Sequence, residues 1–374
     1  MKKIKLATVF SGIGAVEFAL KRMKIDYDVV FACDNGEREI EYDHEKEYKN
    51  VCNLKSIDEK RNYVENLYLS KTKSKNYVEE SYLHNYKECS PNRFFQDIML
   101  LDGRDFKDKV DLFVGGSPCQ SFSSVGFQGG LEDARGTLFY EYARLIKEIQ
   151  PKVFIYENVR NLLNHDGGKT WTIIKEVFDS LGYKIKFDVL NAADYGVPQT
   201  RRRLFVVGFK DDYNFMMPEK ISLNYCMKDF TETYCKDGEF KSNENGQLVV
   251  PKIAGSVDEK YTLSPKLYAY VMKSGTKTWS QKVQINLDVA RTLLKTMGNR
   301  HRAGVDNYVS FDGTENLGSV RMLTEREAHR LMGFTDDYEI VVSRAQAYKQ
   351  AGNSIVVDVM IAILKEIFKT NVFD

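Results

Sequence analysis

The chain has 374 residues, 43% of them hydrophobic and 29% charged, with a formal net charge of +1. That balance excludes a disordered or fibrous protein and allows one large core, or a large core with a smaller second domain. There is no run of 18 apolar residues, so no membrane span is expected. The opening MKKIKLATVFSGIGAV has a basic start and an apolar middle. Glu17, the charged KRMK that follows and the lack of an A-x-A site make it read as a buried first strand rather than an export signal. The six cysteines (33, 52, 89, 119, 226 and 235) form no C-x-x-C and no cluster with the five histidines. This spacing argues against zinc and predicts a reducing, cytoplasmic setting.

Taken in order, IKLATVF (4–10) predicts a strand, and SGIGAVEFALKRM a helix with Val16, Phe18, Ala19 and Leu20 on its apolar face. DYDVVFACD (26–34) predicts a second strand. Residues 41–92, crowded with Lys, Glu, Asn and Tyr and without a clean period, read as an inserted, partly helical surface segment whose charges form a solvated face. DLFVGGSP (111–118) and PKVFIYENV (151–159) are strands flanking the helical RGTLFYEYARLIKEIQ, and the helical WTIIKEVFDSLGY leads to strands in IKFDVLNAADYG and RRRLFVVGF. Apolar strands alternating with helices predict an α/β domain with a mostly parallel, doubly wound sheet, whose ligands sit beyond the strands' C-terminal ends.

The alternation stops after about residue 212. Residues 210–265 hold ten acidic and seven basic side chains, whereas 266–302 hold eight basic ones and only Asp288 as an acid. Such a stripe reads either as a polyanion-binding face or as a lysine-rich soluble surface. The chain closes with RMLTEREAHRLMGF and AGNSIVVDVMIAILKEIF, whose helical period predicts a last helix returning to complete the first domain.

Three loops carry candidate chemistry. FSGIGAVE (10–17) puts two glycines at a strand-to-helix turn, where backbone amides approach a ligand closely. It lacks the third glycine of G-x-G-x-x-G; with Asp34 at the next strand's end to accept ribose hydroxyls, it suggests an adenosine-containing ligand without a necessary pyrophosphate. GGSPCQSFS places Cys119 after Pro118 in a small-residue loop, either as a buried thiol or as a nucleophile ionised by neighbouring cations or a helix N-terminus. ENV ends the following strand with Glu157, either a capping or salt-bridging acid or a buried carboxyl that keeps its proton. In QTRRR, strand alternation sends Arg201 and Arg203 to one face, into the cleft, and Arg202 to the other; the bland alternative is an exposed basic patch.

FSGIGAVE, GGSPCQSFS, ENV, QTRRR, RMLTEREAHRLMGF and AGNSI occur in an order and spacing that resemble the DNA (cytosine-5)-methyltransferases of bacterial restriction-modification type. The resemblance spans residues 4–210 and 320–370. It implies a class I S-adenosylmethionine-dependent methyltransferase fold, Rossmann-like and mostly parallel, with a smaller, irregular target-recognition domain. The implied layout is a catalytic and cofactor-binding domain at 1–212, recognition at 213–318, and 319–374 returning to the catalytic domain.

By the same resemblance Cys119 attacks carbon 6 of a flipped cytosine, Glu157 serves ring N3, and Arg201 and Arg203 hold the base. Phe10, Gly12, Ile13, Gly14, Asp34, Asp97, Ile98, Asn353 and Ser354 surround S-adenosylmethionine, with Asp97 and Ile98 at the adenine. Gln120, Ser121, Thr292, Arg300 and Arg302 are the implied contacts to double-stranded DNA, with Lys71, Lys73 and Lys75 as a basic subset that would track the backbone. No metal is expected. The chain is expected to act as a monomer, paired with a restriction endonuclease. A transfer-RNA methyltransferase and a non-catalytic DNA-binding relative are the competing readings. Thr335 stands in LMGFTDDY where the family commonly has proline, and the 41–92 insertion separates Asp34 from Asp97.

Overall fold

The structure, a computed structural model, describes residues 3–117, 138–273, 283–298 and 301–374. Strands β1 (Ile4–Val9), β2 (Tyr27–Cys33), β3 (Phe94–Phe95), β4 (Leu112–Gly115), β5 (Val153–Val159) and β6 (Lys184–Asn191) are followed by β7 (Gln199–Thr200) and β8 (Arg202–Phe209). Seven of them build one sheet in the order β3-β2-β1-β4-β5-β8-β6. The neighbours from β3 to β5 run parallel, and β8 alone is reversed, pairing antiparallel with both β5 and β6.

The apolar runs predicted as strands are buried on both faces, because successive side chains point to opposite sides. Ile4 and Leu6 of β1, with Val153 and Ile155 of β5, enter one core. Ala7 and Val9, with Phe154 and Tyr156, enter the other. The expectation of apolar strands fails at β6. It is an edge strand that exposes Lys184, Lys186, Phe187 and Asp188, since a strand with one free side has less to bury.

Helix α1 (Ala15–Arg22) packs with the last helix, α10 (Val357–Lys369). Their junction holds a buried cation. Arg22 pairs with both Asp358 oxygens at 2.9 Å and donates to the Gly333 and Gly246 carbonyls. On the opposite face lie α5 (Leu138–Ile149) and α6 (Lys169–Ser180).

The inserted segment forms α2 (His44–Cys52), α3 (Ile57–Lys71) and α4 (Tyr77–Asn85), capped by the side chains of Asp43, Ser56 and Asn76. Its inner side is no solvated face: Tyr68, Tyr82 and Tyr86 are fully buried. Lys60 pins α3 to Asp102 at 2.7 Å and Asp105 at 2.8 Å.

Beyond residue 212, the short pair β9 (Lys241–Ser242) and β10 (Leu248–Val249) precedes α7 (Pro265–Met272). Phe215, Met227, Phe230, Phe240 and Leu248 pack into the first core. A separate small core gathers Leu263, Val271, Val283, Ile285, Tyr308, Val320 and Met322 around β12 (Tyr308–Ser310) and β13 (Val320–Met322). Between them, β11 (Ala290–Arg291) lies parallel to β7. The helices α8 (Glu325–Arg330) and α9 (Arg344–Asn353) precede α10. Among the described residues no helix is long and apolar enough to cross a membrane, and Cys33, Cys52, Cys89, Cys226 and Cys235 are free thiols.

Truncating one member of a buried ion pair strands the other charge, which costs about 3 kcal/mol or more. Arg22→Ala is therefore expected to lower the unfolding free energy by about that amount, read from denaturant melts. Arg22→Met with Asp358→Leu is expected to recover most of the loss.

Candidate active site

The parallel strands all end at one edge of the sheet, and the strand order reverses between β1 and β4, the place where such sheets open a crevice. On the β1 side, the turn after Val9 carries Phe10 at φ +52°, Gly12 at +53° and Gly14 at +75°. These left-handed conformations are favourable only for glycine, so Phe10 is a strained exception. A Cβ on Gly14 would stand 2.1 Å from the Tyr86 ring. Ser11 ties this turn to the end of β2, accepting from the Cys33 amide at 3.0 Å and donating to its carbonyl at 3.2 Å. Asp34 accepts from the Gly12 amide at 2.9 Å and the Gly36 amide at 2.8 Å. Burial raises its pKa, against the pull of those two amides.

After β3, Asp97 is buried and accepts from the Tyr42 and Tyr68 hydroxyls and from the Met99 amide. Burial raises its pKa as well, opposed by these three donors. Ile13 and Ile98 are both buried beside these loops. The Asn353 amide donates to Glu37 at 2.8 Å, which brings the AGNSI segment to the loop after Asp34. Glu37 also collects Lys295 and Lys349, at 3.2 and 2.9 Å.

On the β4 side, Gly116 and Ser117 lead toward Pro118. Cys119, Gln120, Ser121 and Arg300 lie outside the described residues. A Cβ on Gly116 would sit 2.8 Å from the Glu157 carbonyl and 2.9 Å from its carboxylate, so glycine is what lets this loop lie against Glu157. Asn158 donates to the Ser117 carbonyl at 2.9 Å, and the Ser117 hydroxyl meets that of Tyr156 at 2.7 Å. The middle residue of ENV therefore fixes the start of the cysteine loop, a role that its place in the motif does not announce.

Glu157 pairs with Arg203 at 3.2 Å. Burial raises its pKa, while Arg203 and then Arg201 pull it down. The two arginines expected to act together both act electrostatically on Glu157 but hold different partners. Arg203 faces Glu157, while Arg201 precedes β8 and is buried. Its terminal nitrogens donate to the carbonyls of Leu293 at 3.0 Å and of Gly352 and Ser354 at 2.9 Å. Among the described residues its Nε–H has no acceptor.

Gln199 accepts from the Leu293 amide at 3.0 Å and donates to the Leu331 carbonyl at 2.6 Å. The Thr292 hydroxyl donates to the Thr200 carbonyl at 2.5 Å. Arg302 reaches Thr296 at 2.5 Å and Asp306 at 3.8 Å, and Lys75 pairs with Glu80 at 3.0 Å. Thr292, Arg302 and Lys75 thus each hold an internal partner.

The layout is that of an α/β methyltransferase, with one half of the crevice lined by glycines and acids and the other by Glu157 and Arg203. Residues 59–369 match the family model described as "C-5 cytosine-specific DNA methylase", and the chain belongs to that family. It is 35% identical over 288 residues to the type II methyltransferase M.SsoII of Shigella sonnei, covering 73% of this chain and 68% of that protein. To the type II methyltransferase M.HhaI of Haemophilus parahaemolyticus it is 35% identical over 257 residues, covering 67% of this chain and 73% of that protein. Among solved structures, S. pombe Dnmt2 methyltransferase superposes with a TM-score of 0.66 at 16% identity, covering 98% and 99% of the two chains. A putative DNA modification methyltransferase from an E. coli prophage gives 0.60 at 19%, covering 99% of each; both likenesses concern the fold.

Activity that needs a protonated Glu157 holds below its raised pKa and falls as pH rises through it. Arg203→Ala removes the charge that lowers that pKa. The alkaline limb of kcat/KM is therefore expected to move to higher pH in this variant, as a methyl-transfer pH profile will show, even where the peak rate is reduced.

Proposed function

We propose that this protein is a sequence-specific DNA cytosine-5 methyltransferase, the modification half of a restriction-modification system. It takes S-adenosylmethionine as methyl donor, works as a monomer on double-stranded DNA, and reads its site through residues 213–318. The observation that carries this is Glu157: a carboxyl with a raised pKa, beside the loop that leads to Cys119, in a chain of the C-5 cytosine-specific family.

The cofactor residues fit an adenosine-containing ligand. Gly12 and Gly14 keep the β1 turn open. Asp34 uses one acceptor site on each oxygen for backbone amides and retains a second on each for ribose hydroxyls. Asp97 faces the adenine, and Asn353 and Ser354 close the site from the C-terminal side. When bound, S-adenosylmethionine supplies an electrophilic methyl group.

The chain's own residues make the base reactive toward it. The target cytosine must leave the duplex, because neither face of carbon 6 is accessible in the stack. The Cys119 thiolate adds to carbon 6, and the electron pair of the 5,6 double bond moves toward carbon 5. Glu157 donates its proton to ring N3, so negative charge does not build on the ring. Arg203 holds Glu157 in place and favours a thiolate nearby, and Arg201 positions the segments around them. After methylation, loss of the carbon 5 proton to a solvent base restores the 5,6 double bond and expels Cys119 as thiolate, while the N3 proton returns to Glu157 and leaves neutral 5-methylcytosine.

The test is transfer of labelled methyl from S-adenosylmethionine to mixed-sequence duplex DNA, with transfer RNA in parallel and the modified base identified after digestion. The expected result is 5-methylcytosine in DNA, abolished by Cys119→Ala and slowed about 100-fold or more by Glu157→Gln. Label confined to RNA, or none in either, overturns the proposal.

A further inference from the structure

The inserted segment touches every loop that the proposed cofactor site uses. The Tyr86 hydroxyl donates to the Gly14 carbonyl at 2.6 Å. Asn76, the N-cap of α4, donates to the Asp34 carbonyl and to Gln96, both at 2.8 Å. His44 on α2 reaches the Met99 carbonyl at 3.0 Å. Asp97 receives two hydroxyls on one oxygen: Tyr42 at 2.7 Å and Tyr68 at 2.9 Å, both on Oδ2.

A carboxylate offers about four acceptor sites, two per oxygen. The two phenols fill Oδ2, and the Met99 amide takes one site on Oδ1 at 2.9 Å. Among the described residues, one acceptor site on Oδ1 remains. A buried carboxylate gains from a donor at its remaining site, since a buried lone pair without one is unfavourable. Both tyrosines are held firmly. Tyr68 is fully buried, with the Arg38 guanidinium 4.8 Å over its ring, and its helix is pinned by the Lys60 pair.

We propose that Tyr42 and Tyr68 are positioning residues for the cofactor's purine. By occupying Asp97 Oδ2 they turn the carboxylate so that Oδ1 accepts from the exocyclic amino group. The insertion thereby serves as a wall of the adenine subsite. This rests on the S-adenosylmethionine reading above and extends it to residues of the insertion.

The experiment compares wild type, Tyr42→Phe, Tyr68→Phe and the double variant. Binding is measured for S-adenosylhomocysteine and for its analogue in which adenine is replaced by purine without the amino group, alongside methyl-transfer kinetics. In wild type, loss of the amino group is expected to weaken binding about tenfold. In the double variant that advantage should fall to about twofold or less, KM for S-adenosylmethionine should rise about fivefold to tenfold, and kcat at saturation should stay within about twofold. Tyr42→Phe, which keeps the buried Tyr68 hydroxyl, should show part of the same change and decides the matter if the double variant does not fold.

An undiminished preference for the amino group in the Phe variants overturns the inference, as does a fall in kcat with KM unchanged. Wild type that binds the purine analogue as tightly as the parent overturns it too. Wild type that binds neither ligand and transfers no methyl overturns instead the cofactor reading on which it rests.

Discussion

One buried guanidinium joins the three parts of this chain. Arg201 donates to the carbonyls of Leu293, Gly352 and Ser354, so a loop at the sheet's edge, the later part of the basic segment and the end of α9 meet at one side chain. Gln199, fully buried two residues earlier, adds bonds to Leu293 and Leu331. Backbone carbonyls buried by this closure need donors, and these two side chains supply them beside the short β7–β11 pair. The active-site edge depends on the closure, because it brings Asn353 to the loop after Asp34 and sets β8, with Arg203, against Glu157.

The crevice divides its chemistry by strand. On the β1–β3 side, carboxylates are buried but surrounded by donors, an arrangement that binds hydroxyl and amino groups. On the β4–β5 side, Glu157 pairs with Arg203, and burial outweighs that cation in setting the direction of its pKa. Asp34, with two amide donors, is suited to hold ribose hydroxyls; Glu157, with no backbone donor among the described residues, is suited to carry a proton. Environment rather than residue type separates the two roles.

Much of this was legible in the sequence. β1, β2, β4 and β5 are short apolar runs bounded by turn residues, and burial on both faces leaves such runs little freedom to be anything else. The loops stood out because glycine, proline and a strand-end acid have few structural reasons to gather. Other features carried no local sign. β3 is two residues long, below any periodic signal. β6 is legible as a strand, but its place at the sheet's edge, which leaves its lysines and Phe187 exposed, is not. The alternation argument put Arg201 and Arg203 on one face of a continuous strand, but β8 begins at Arg202, and Arg201 turns to carbonyls 92 to 153 residues away in sequence. The insertion's tyrosines looked like surface aromatics, because their acceptors, Asp97, Glu17 and Gly14, lie in other segments. Long-range hydrogen bonding of this kind leaves no mark on hydrophobic periodicity.

The central claim is that Cys119 bonds covalently to a cytosine in DNA. It is tested most directly with duplexes carrying 5-fluorocytosine in place of cytosine, incubated with protein and S-adenosylmethionine. Fluorine at carbon 5 cannot leave as a proton does, so elimination stops and the thioether to carbon 6 persists. The account predicts a denaturation-resistant protein–DNA complex, with peptide mass spectrometry placing the nucleotide on Cys119, and no such complex for Cys119→Ala. A complex attached at another residue, or methylated product accumulating with no covalent species, would contradict it.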